Sequence, residues 1–177
     1  MDRNLGALQV ATAYNDANAY GDLFQWGRLD DGHQTRTSGT TATLSSTDIP
    51  GHSNFITAGG SPYDWRSPQN NNLWQGVSGI NNPCPSGWRI PTFAELNDER
   101  ASWSQQNLNG AFASVLKFTT GGSRYFYGSF ESCTTCGSYW SSTVTGNNIL
   151  YLYFGTTYAA TTDNYRATSF SIRCVQD

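Results

Sequence analysis

Residues 82–103, NPCPSGWRIPTFAELNDERASW, contain the clearest structural signal in the chain. Thr92 is followed three residues later by Glu95, which is the capping-box arrangement: the hydroxyl and the carboxylate each satisfy a free backbone amide at a helix start. The residues that continue at helical spacing are Phe93, Leu96, Arg100 and Trp103. We therefore predict a helix from about residue 92 to 104, with its apolar side in the core.

The rest of the chain predicts a single α+β domain spanning residues 1–177. A second helix is expected over residues 16–27, because Asp16 can cap its first turn and Gly27 can end it. Residues 28–87 are rich in Thr, Ser, Gly, Asp and Asn and predict long irregular loops. Short segments of strand-forming residues lie at 6–13, 113–119, 124–130, 139–142, 149–154 and 169–175.

The composition bears on the class of partner and on location. Charged residues make up 13% of the chain and aromatic residues 14%, and the net charge is −3. Without a cluster of Lys or Arg, nothing predicts nucleic-acid binding, and without a run of about 18 apolar residues nothing predicts a membrane span. The abundance of Gly, Asn, Ser and Thr with a single Met favours an extracellular protein.

Four cysteines, at positions 84, 133, 136 and 174, allow three pairings, and spacing alone does not choose among them. Cys133 and Cys136 have the CxxC spacing of redox and zinc motifs. A zinc site needs further ligands, however, and only His33 and His52 are present, both in polar segments where we expect them to be solvated. A local disulfide, or two free thiols in a loop, is the simpler interpretation, and we predict no metal and no cofactor.

Five motifs occur in order along the chain: MDRNLGA, AYGDLFQWGRLDDGH, NPCPSGWRIPTFAEL, YWSST and SFSIRCVQD. Together they resemble the Fibrobacter succinogenes major paralogous domain, which is similar to the C-type-lectin-like superfamily and its formylglycine-generating-enzyme-like members. The resemblance implies two helices flanking small antiparallel sheets, long loops on one side, and chain ends that pair as strands.

The resemblance also implies roles for individual residues. Cys84 and Cys174 would form a long-range disulfide, and Trp88 and Trp140 would lie in the core. Arg89 and Arg173 would hold buried turns by donating hydrogen bonds to backbone carbonyls.

The carboxyl-terminal segment predicts the binding site. It is similar to the variable proteins of diversity-generating retroelements, in which Asn, Tyr, Ser, Thr, Ala, Asp and Ile alternate with fixed scaffold residues. The alternation over residues 149–154 places Tyr151 and Tyr153 on one side of a strand and Leu150, Leu152 and Phe154 on the other. We expect the segment 144–169 to present one outward face that binds a ligand, with Tyr as its main contact residue. The expected ligand-binding residues are Asn147, Ile149, Tyr151, Tyr153, Tyr158, Thr161, Asp163, Asn164, Tyr165 and Thr168.

The resemblance favours a display module, extracellular, on a cell surface or on a phage particle, whose partner is a protein or glycan on a cell surface and which can act as an oligomer. The plain alternative is a solvated loop whose tyrosines serve strand propensity. A formylglycine-generating type of enzyme would use Cys133 and Cys136, but no base lies near them in the sequence. A calcium-dependent sugar lectin would need several carboxylates, and this chain lacks the usual Glu-Pro-Asn and Trp-Asn-Asp motifs. We therefore predict no catalytic residues.

Overall fold

The computed structural model describes all 177 residues, as an α+β protein with two helices and several small, separate sheets. The helices are α1 (Phe93–Ala101) and α2 (Leu108–Ala113). The strands are β1 (Phe24–Gln25), β2 (Thr40–Thr41), β3 (Phe55–Ile56), β4 (Trp88–Arg89), β5 (Ser123–Arg124), β6 (Phe130–Glu131), β7 (Gly137–Thr145), β8 (Asn148–Phe154), β9 (Ala159–Asn164), β10 (Ser169–Phe170) and β11 (Val175–Gln176). They form sheets ordered β1-β10-β5-β6, β7-β8-β9, β11-β4 and β2-β3.

The predicted capping box is confirmed at the start of α1. The Thr92 hydroxyl accepts a hydrogen bond from the Glu95 amide at 3.3 Å, and the Glu95 carboxylate accepts one from the Thr92 amide at 2.8 Å. The helix ends at Ala101, three residues before the predicted end, and Trp103 still reaches the core from the turn that follows. A short turn then leads into α2, which Asn107 caps.

The three-stranded sheet β7-β8-β9 is the largest regular unit, and it divides the core. On one side, Leu152 and Phe154 pack with Leu96 of α1 and with Trp103 and Phe118 in a cluster of eight buried residues. On the other side lies a cluster of fourteen buried residues, which includes Trp26, Trp65, Trp74, Trp140, Ile149, Phe170 and Cys174. The sheet is therefore covered on both sides over part of its area.

Four fully buried tryptophans hold the long loops in place. Their indole N–H groups all donate to backbone carbonyls: Trp26 to Ser141 at 3.1 Å, Trp65 to Trp26 at 2.7 Å, Trp74 to Arg28 at 3.2 Å and Trp140 to Phe24 at 2.8 Å. Each side chain thus buries a large apolar ring and satisfies its only polar group. Trp65 and Trp74, which belong to the irregular residues 28–87, anchor that segment to the core.

The long-range disulfide has the pairing that the family resemblance implied, and the other two cysteines take one of the two states left open by the sequence, a local disulfide. Cys84 bonds to Cys174 across 90 residues of chain, and Cys133 bonds to its neighbour Cys136. Neither helix reaches the length and hydropathy that a bilayer crossing requires. The two disulfides are consistent with an extracellular protein.

The predicted helix over residues 16–27 is wrong. Only Ala17–Ala19 form a turn of 3-10 helix, which Asp16 caps, and the chain then enters β1. Gly21 and Gly27 adopt φ values of +66° and +87°, which a continuous right-handed helix does not tolerate. The cap was correctly identified, but both glycines mark turns rather than a helix interior and its end.

Three predicted strands are also corrected. Residues 6–13 form no strand, and 113–119 begin as the last residue of α2 and continue without strand pairing. Residues 124–130 are a tight hairpin that joins β5 to β6, with Arg124 opposite Phe130, so their middle is a turn. The predicted strands at 139–142 and 149–154 lie within β7 and β8 and are confirmed. The last, 169–175, is formed only at its two ends, as β10 and β11.

The chain ends meet through hydrogen bonds without forming a strand pair. The Met1 ammonium donates to the Cys174 carbonyl at 2.7 Å, and the Leu5 amide donates to the Ile172 carbonyl at 3.0 Å. The terminal strand β11 pairs instead with β4, antiparallel.

The two arginines expected to hold buried turns differ from each other. Arg173 is buried and donates to the Leu116 carbonyl and to the Asn4 side chain, as a turn-holding residue should. Arg89 instead forms ion pairs with Glu95 and Asp177, at 2.7 and 2.5 Å. Of the two tryptophans expected in the core, Trp140 is fully buried, whereas Trp88 is half-buried at its edge.

Candidate functional site

The register of β8 and β9 divides the expected binding residues between two faces of the sheet. Directly opposed residues share a face, and the pairs alternate along the ladder. Tyr151 opposes Thr162 and Ile149 opposes Asn164, which places the side chains of Tyr151, Tyr153 and Asn164 together. Thr161 opposes Leu152 on the other face, which packs against α1. Asp163, opposite Leu150, shares that face, so the expected single outward face is wrong for Thr161 and Asp163.

The face that carries Tyr151 and Tyr153 borders a cavity of about 210 Å³, hereafter the tyrosine pocket. It lies between the sheet β7-β8-β9 and the hairpin β5-β6. Its lining residues are Gly122, Ser123, Tyr125, Glu131, Cys136, Ser138, Tyr151, Tyr153, Asn164 and Phe170. Three expected binding residues therefore meet in one concave site.

A second aromatic ring supports each tyrosine of the pocket. Tyr125 stacks on Tyr127 at 5.4 Å between ring centres, and Tyr153 packs on Tyr158, also at 5.4 Å. Tyr151 lies 4.6 Å from Phe170. Because every ring has a neighbour that limits its rotation, the pocket is largely formed before any ligand arrives.

The hydrogen bonds of the pocket centre on Glu131. One carboxylate oxygen, Oε2, accepts from the Tyr125 hydroxyl at 2.6 Å and from the Ser123 hydroxyl at 3.2 Å. The bond to Glu131 raises the pKa of Tyr125 to about 12. Burial raises the pKa of Tyr151 and, together with the neighbouring Tyr158, that of Tyr153. All three phenols are therefore neutral at physiological pH.

Two of the expected ligand-binding residues are buried and unavailable to a ligand. Ile149 and Thr168 are both fully inaccessible to solvent. Ile149 shares a face with Tyr151 but lies where that face meets the tryptophan-rich core. Thr168 donates through its hydroxyl to the Asn164 side chain at 3.3 Å, which helps to hold the pocket wall. Both residues were expected to face outward, and that expectation is wrong.

Three other expected residues occupy different surroundings. Asn147 lies in the turn between β7 and β8, where its carbonyl accepts from the buried Arg166 at 3.1 Å. Tyr165 packs against Tyr63, at 4.5 Å between ring centres, and against Phe126, outside the pocket lining. Tyr158 is 55% exposed at the rim, behind Tyr153.

The hairpin residues Tyr125, Tyr127 and Glu131 were missed by the sequence analysis. The strand predicted over 124–130 places alternate residues on opposite faces of a sheet, whereas the hairpin brings Tyr125 within hydrogen-bond distance of Glu131. The available signal was Gly128, directly after Tyr125-Phe126-Tyr127, because this glycine, at φ +93°, closes the hairpin turn: its amide donates to the Tyr125 carbonyl at 2.7 Å.

Histidine and cysteine, the residue types expected of catalytic or metal sites, are engaged elsewhere. His33 is buried rather than solvated: Nε2 accepts from the Gln25 amide at 3.0 Å, and Nδ1 lies 2.6 Å from Asp31. Burial lowers its pKa to about 4. Cys133 and Cys136 are bonded to each other, and no group of three or more His, Cys, Asp or Glu side chains is placed to hold a metal ion.

A second cavity, of about 310 Å³, lies between α1 and α2 and is lined by Glu99, Ser102, Trp103, Ser104, Gly110, Ala113, Ser114 and Val115. The Trp103 indole N–H donates to Glu99 at 3.0 Å, so the one polar group of this ring is already satisfied. None of the expected binding residues lines it.

Comparison of the chain with protein-family models, with curated proteins and with solved structures gave no match.

Proposed function

We propose that this protein is an extracellular ligand-binding module and that the tyrosine pocket is its binding site. The observation that carries the proposal is the convergence of Tyr125, Tyr151 and Tyr153 on one concave site beside Glu131 and Asn164. Concave sites that combine aromatic walls with a few polar groups are the usual form of small-ligand sites. The disulfides and the tryptophan-rich core suit a rigid scaffold outside the cell.

Tyrosine suits this role because it provides a large amphipathic contact surface at a low cost in side-chain entropy. In this pocket the cost is lower still, since stacking on Tyr127, Phe170 and Tyr158 already restricts the rings. The proposed ligand is a small group presented by a protein or glycan on a cell surface.

A more specific proposal concerns the fold family and the variability of the carboxyl-terminal segment. The hydrogen bonds between the two chain ends, the Cys84–Cys174 bond and the loop-rich half suit a C-type-lectin-like fold. In a variable protein of a diversity-generating retroelement, Tyr153 and Thr162 are suitable positions for change, because the β8-β9 ladder fixes the backbone whatever their side chains are. Tyr158, which is exposed in the connection between these strands, is another. A reverse-transcriptase gene beside a near-copy of the coding region for residues 139–177 would establish this; a neighbourhood that lacks both would contradict it.

Binding to arrays of glycans and cell-surface proteins tests the main proposal. Wild type is compared with Tyr153→Ala in the pocket and with Asp163→Ala on the opposite face of the same sheet. The proposal predicts that the signals seen with wild type are lost in Tyr153→Ala and retained in Asp163→Ala. The reverse pattern would place the binding face on the other side of the sheet.

A further inference from the structure

The charge of the tyrosine pocket indicates which chemical group it accepts. Glu131 is the only charged residue in its lining, and no Lys or Arg contributes to it. Aromatic ring faces carry a negative quadrupole. Four rings, those of Tyr125, Tyr151, Tyr153 and Phe170, line the same pocket as the carboxylate, and a ring that presents its face to a cation attracts it through this quadrupole.

The carboxylate has one oxygen free for a ligand. Oε2 of Glu131 accepts from Tyr125 and Ser123, which fix the group in place, whereas Oε1 accepts no hydrogen bond from the protein. The amide oxygen of Asn164 is already used, since it accepts from the Tyr165 amide at 2.8 Å and from the Thr168 hydroxyl at 3.3 Å. The pocket therefore offers an unengaged anionic acceptor.

The volume limits the size of the ligand. Pockets for drug-sized ligands occupy about 300–1,000 Å³, and this cavity measures about 210 Å³. It suits a compact headgroup or the end of one side chain, and a larger molecule would insert only such a group.

From these observations we propose that the tyrosine pocket binds an organic ammonium group, with the aromatic rings contacting the cation and Glu131 balancing its charge. This inference rests on the proposed function, because it names the ligand class of the same site. A methylated ammonium fits best, since its methyl groups pack against rings and need no hydrogen-bond acceptors.

Titration of the intact, disulfide-bonded protein with tetramethylammonium, followed by NMR, tests the inference. The matched probes are choline and its uncharged isostere 3,3-dimethylbutanol, with methyl glucoside as a sugar. We expect millimolar tetramethylammonium or choline to cause saturable chemical-shift changes centred on the pocket. The uncharged isostere should bind at least about fivefold more weakly, because a cation–π energy of about 1 kcal/mol corresponds to that ratio. Phosphocholine and Nε-trimethyllysine then distinguish two sources of a trimethylammonium group, a phosphocholine headgroup and a methylated lysine side chain.

Four variants separate the contributions. Glu131→Gln removes the charge and is expected to weaken choline binding by about fivefold or more. Tyr153→Ala removes a ring and is expected to weaken choline binding by a similar factor. Tyr153→Phe keeps the ring and is expected to bind within about twofold of wild type, since the quadrupole of the ring remains. Asp163→Asn removes a carboxylate on the opposite face and is expected to change nothing. Thermal melting of each variant confirms that it is folded.

Three results would overturn the inference: no binding of either ammonium probe at millimolar concentration, equal binding of choline and dimethylbutanol, or an unchanged affinity in Glu131→Gln. Shifts at the pocket with methyl glucoside and none with choline would also overturn it, yet would leave the proposed function in place. The proposed function itself fails separately, if Tyr153→Ala retains every signal on the arrays.

Discussion

Removal of the Cys84–Cys174 disulfide should destabilise the protein far more than removal of the Cys133–Cys136 disulfide. A cross-link stabilises mainly by restricting the unfolded chain, and the restriction grows with the length of the closed loop. The first bond spans 90 residues and the second only three. The chain-entropy relation gives about 4.5 kcal/mol for the long loop and about 2 kcal/mol for the short one.

The surroundings of the cysteines widen this difference. Cys174 is fully buried in the tryptophan-rich cluster, with Cys84 packed against it, so replacing both by alanine also removes packed sulfur atoms. Cys133 and Cys136 are only partly buried beside the tyrosine pocket. We expect Cys84→Ala/Cys174→Ala to lose at least about 2.5 kcal/mol more unfolding free energy than Cys133→Ala/Cys136→Ala, because the packing loss adds to the difference in chain entropy.

Urea unfolding of the two double variants and of wild type, followed by tryptophan fluorescence, measures the difference. The long-loop variant should also show a larger dependence on urea concentration, because its unfolded chain is less compact. Equal destabilisation of the two variants would refute the reasoning, since it would mean that the 90-residue loop is already restricted in the unfolded state.

Three further outcomes follow from burial. Burial lowers the pKa of His33 to about 4 from its ordinary 6.5, so between these pH values the unfolded chain binds a proton that the folded protein does not. The unfolding free energy should therefore be highest above pH 6.5 and fall by up to about 3 kcal/mol as the pH drops to 4. Urea unfolding of His33→Gln should lack this pH dependence. Phe154→Ala should cost about 3 to 5 kcal/mol in the same assay, because this fully buried ring packs against Trp103 and Phe118, and a cost below about 1 kcal/mol would contradict its place in the core. Tyr158→Ala, at a rim position that is 55% exposed, should change the unfolding free energy by no more than about 0.5 kcal/mol, and a loss as large as that of Phe154→Ala would show that the rim holds the fold together.

The elements that sequence predicts well are those whose signals are local. The Thr92–Glu95 capping box needs only neighbouring residues, and helix α1 begins where it indicates. The alternation over residues 149–154 likewise matches β8, where Leu152 and Phe154 are buried and Tyr153 faces the pocket. Distant contacts do not change either pattern.

The elements that were missed depend on distant partners. Residues 159–164 have no apolar period, yet they form β9 because the ladder of β8 supplies their hydrogen bonds. In the same way, Asp16 caps only one turn, since Gly21 and Gly27 turn the chain toward β1 and its partner β10. Pairing with strands far along the chain determines both outcomes.

The residues of the candidate site divide in the same way, into those that local sequence predicts and those that depend on distant contacts. Tyr151, Tyr153 and Asn164 could be chosen from their own segment, and they do line one pocket. Glu131 and Tyr125 reach it from a hairpin that packs beside the sheet through β10, a relation that no local pattern reveals. Thr161 and Asp163 were misplaced because the register of β9 decides which face they take.

Mapping the contact surface of a ligand found on the arrays tests the binding-site proposal most directly. The binding site proposed here predicts that bound ligand perturbs the amide signals of Tyr153, Asn164 and Glu131 and leaves those of Glu99 and Val115, in the cavity between α1 and α2, unchanged. Perturbation of Glu99 and Val115 without Tyr153 would contradict it and move the binding site to the helices.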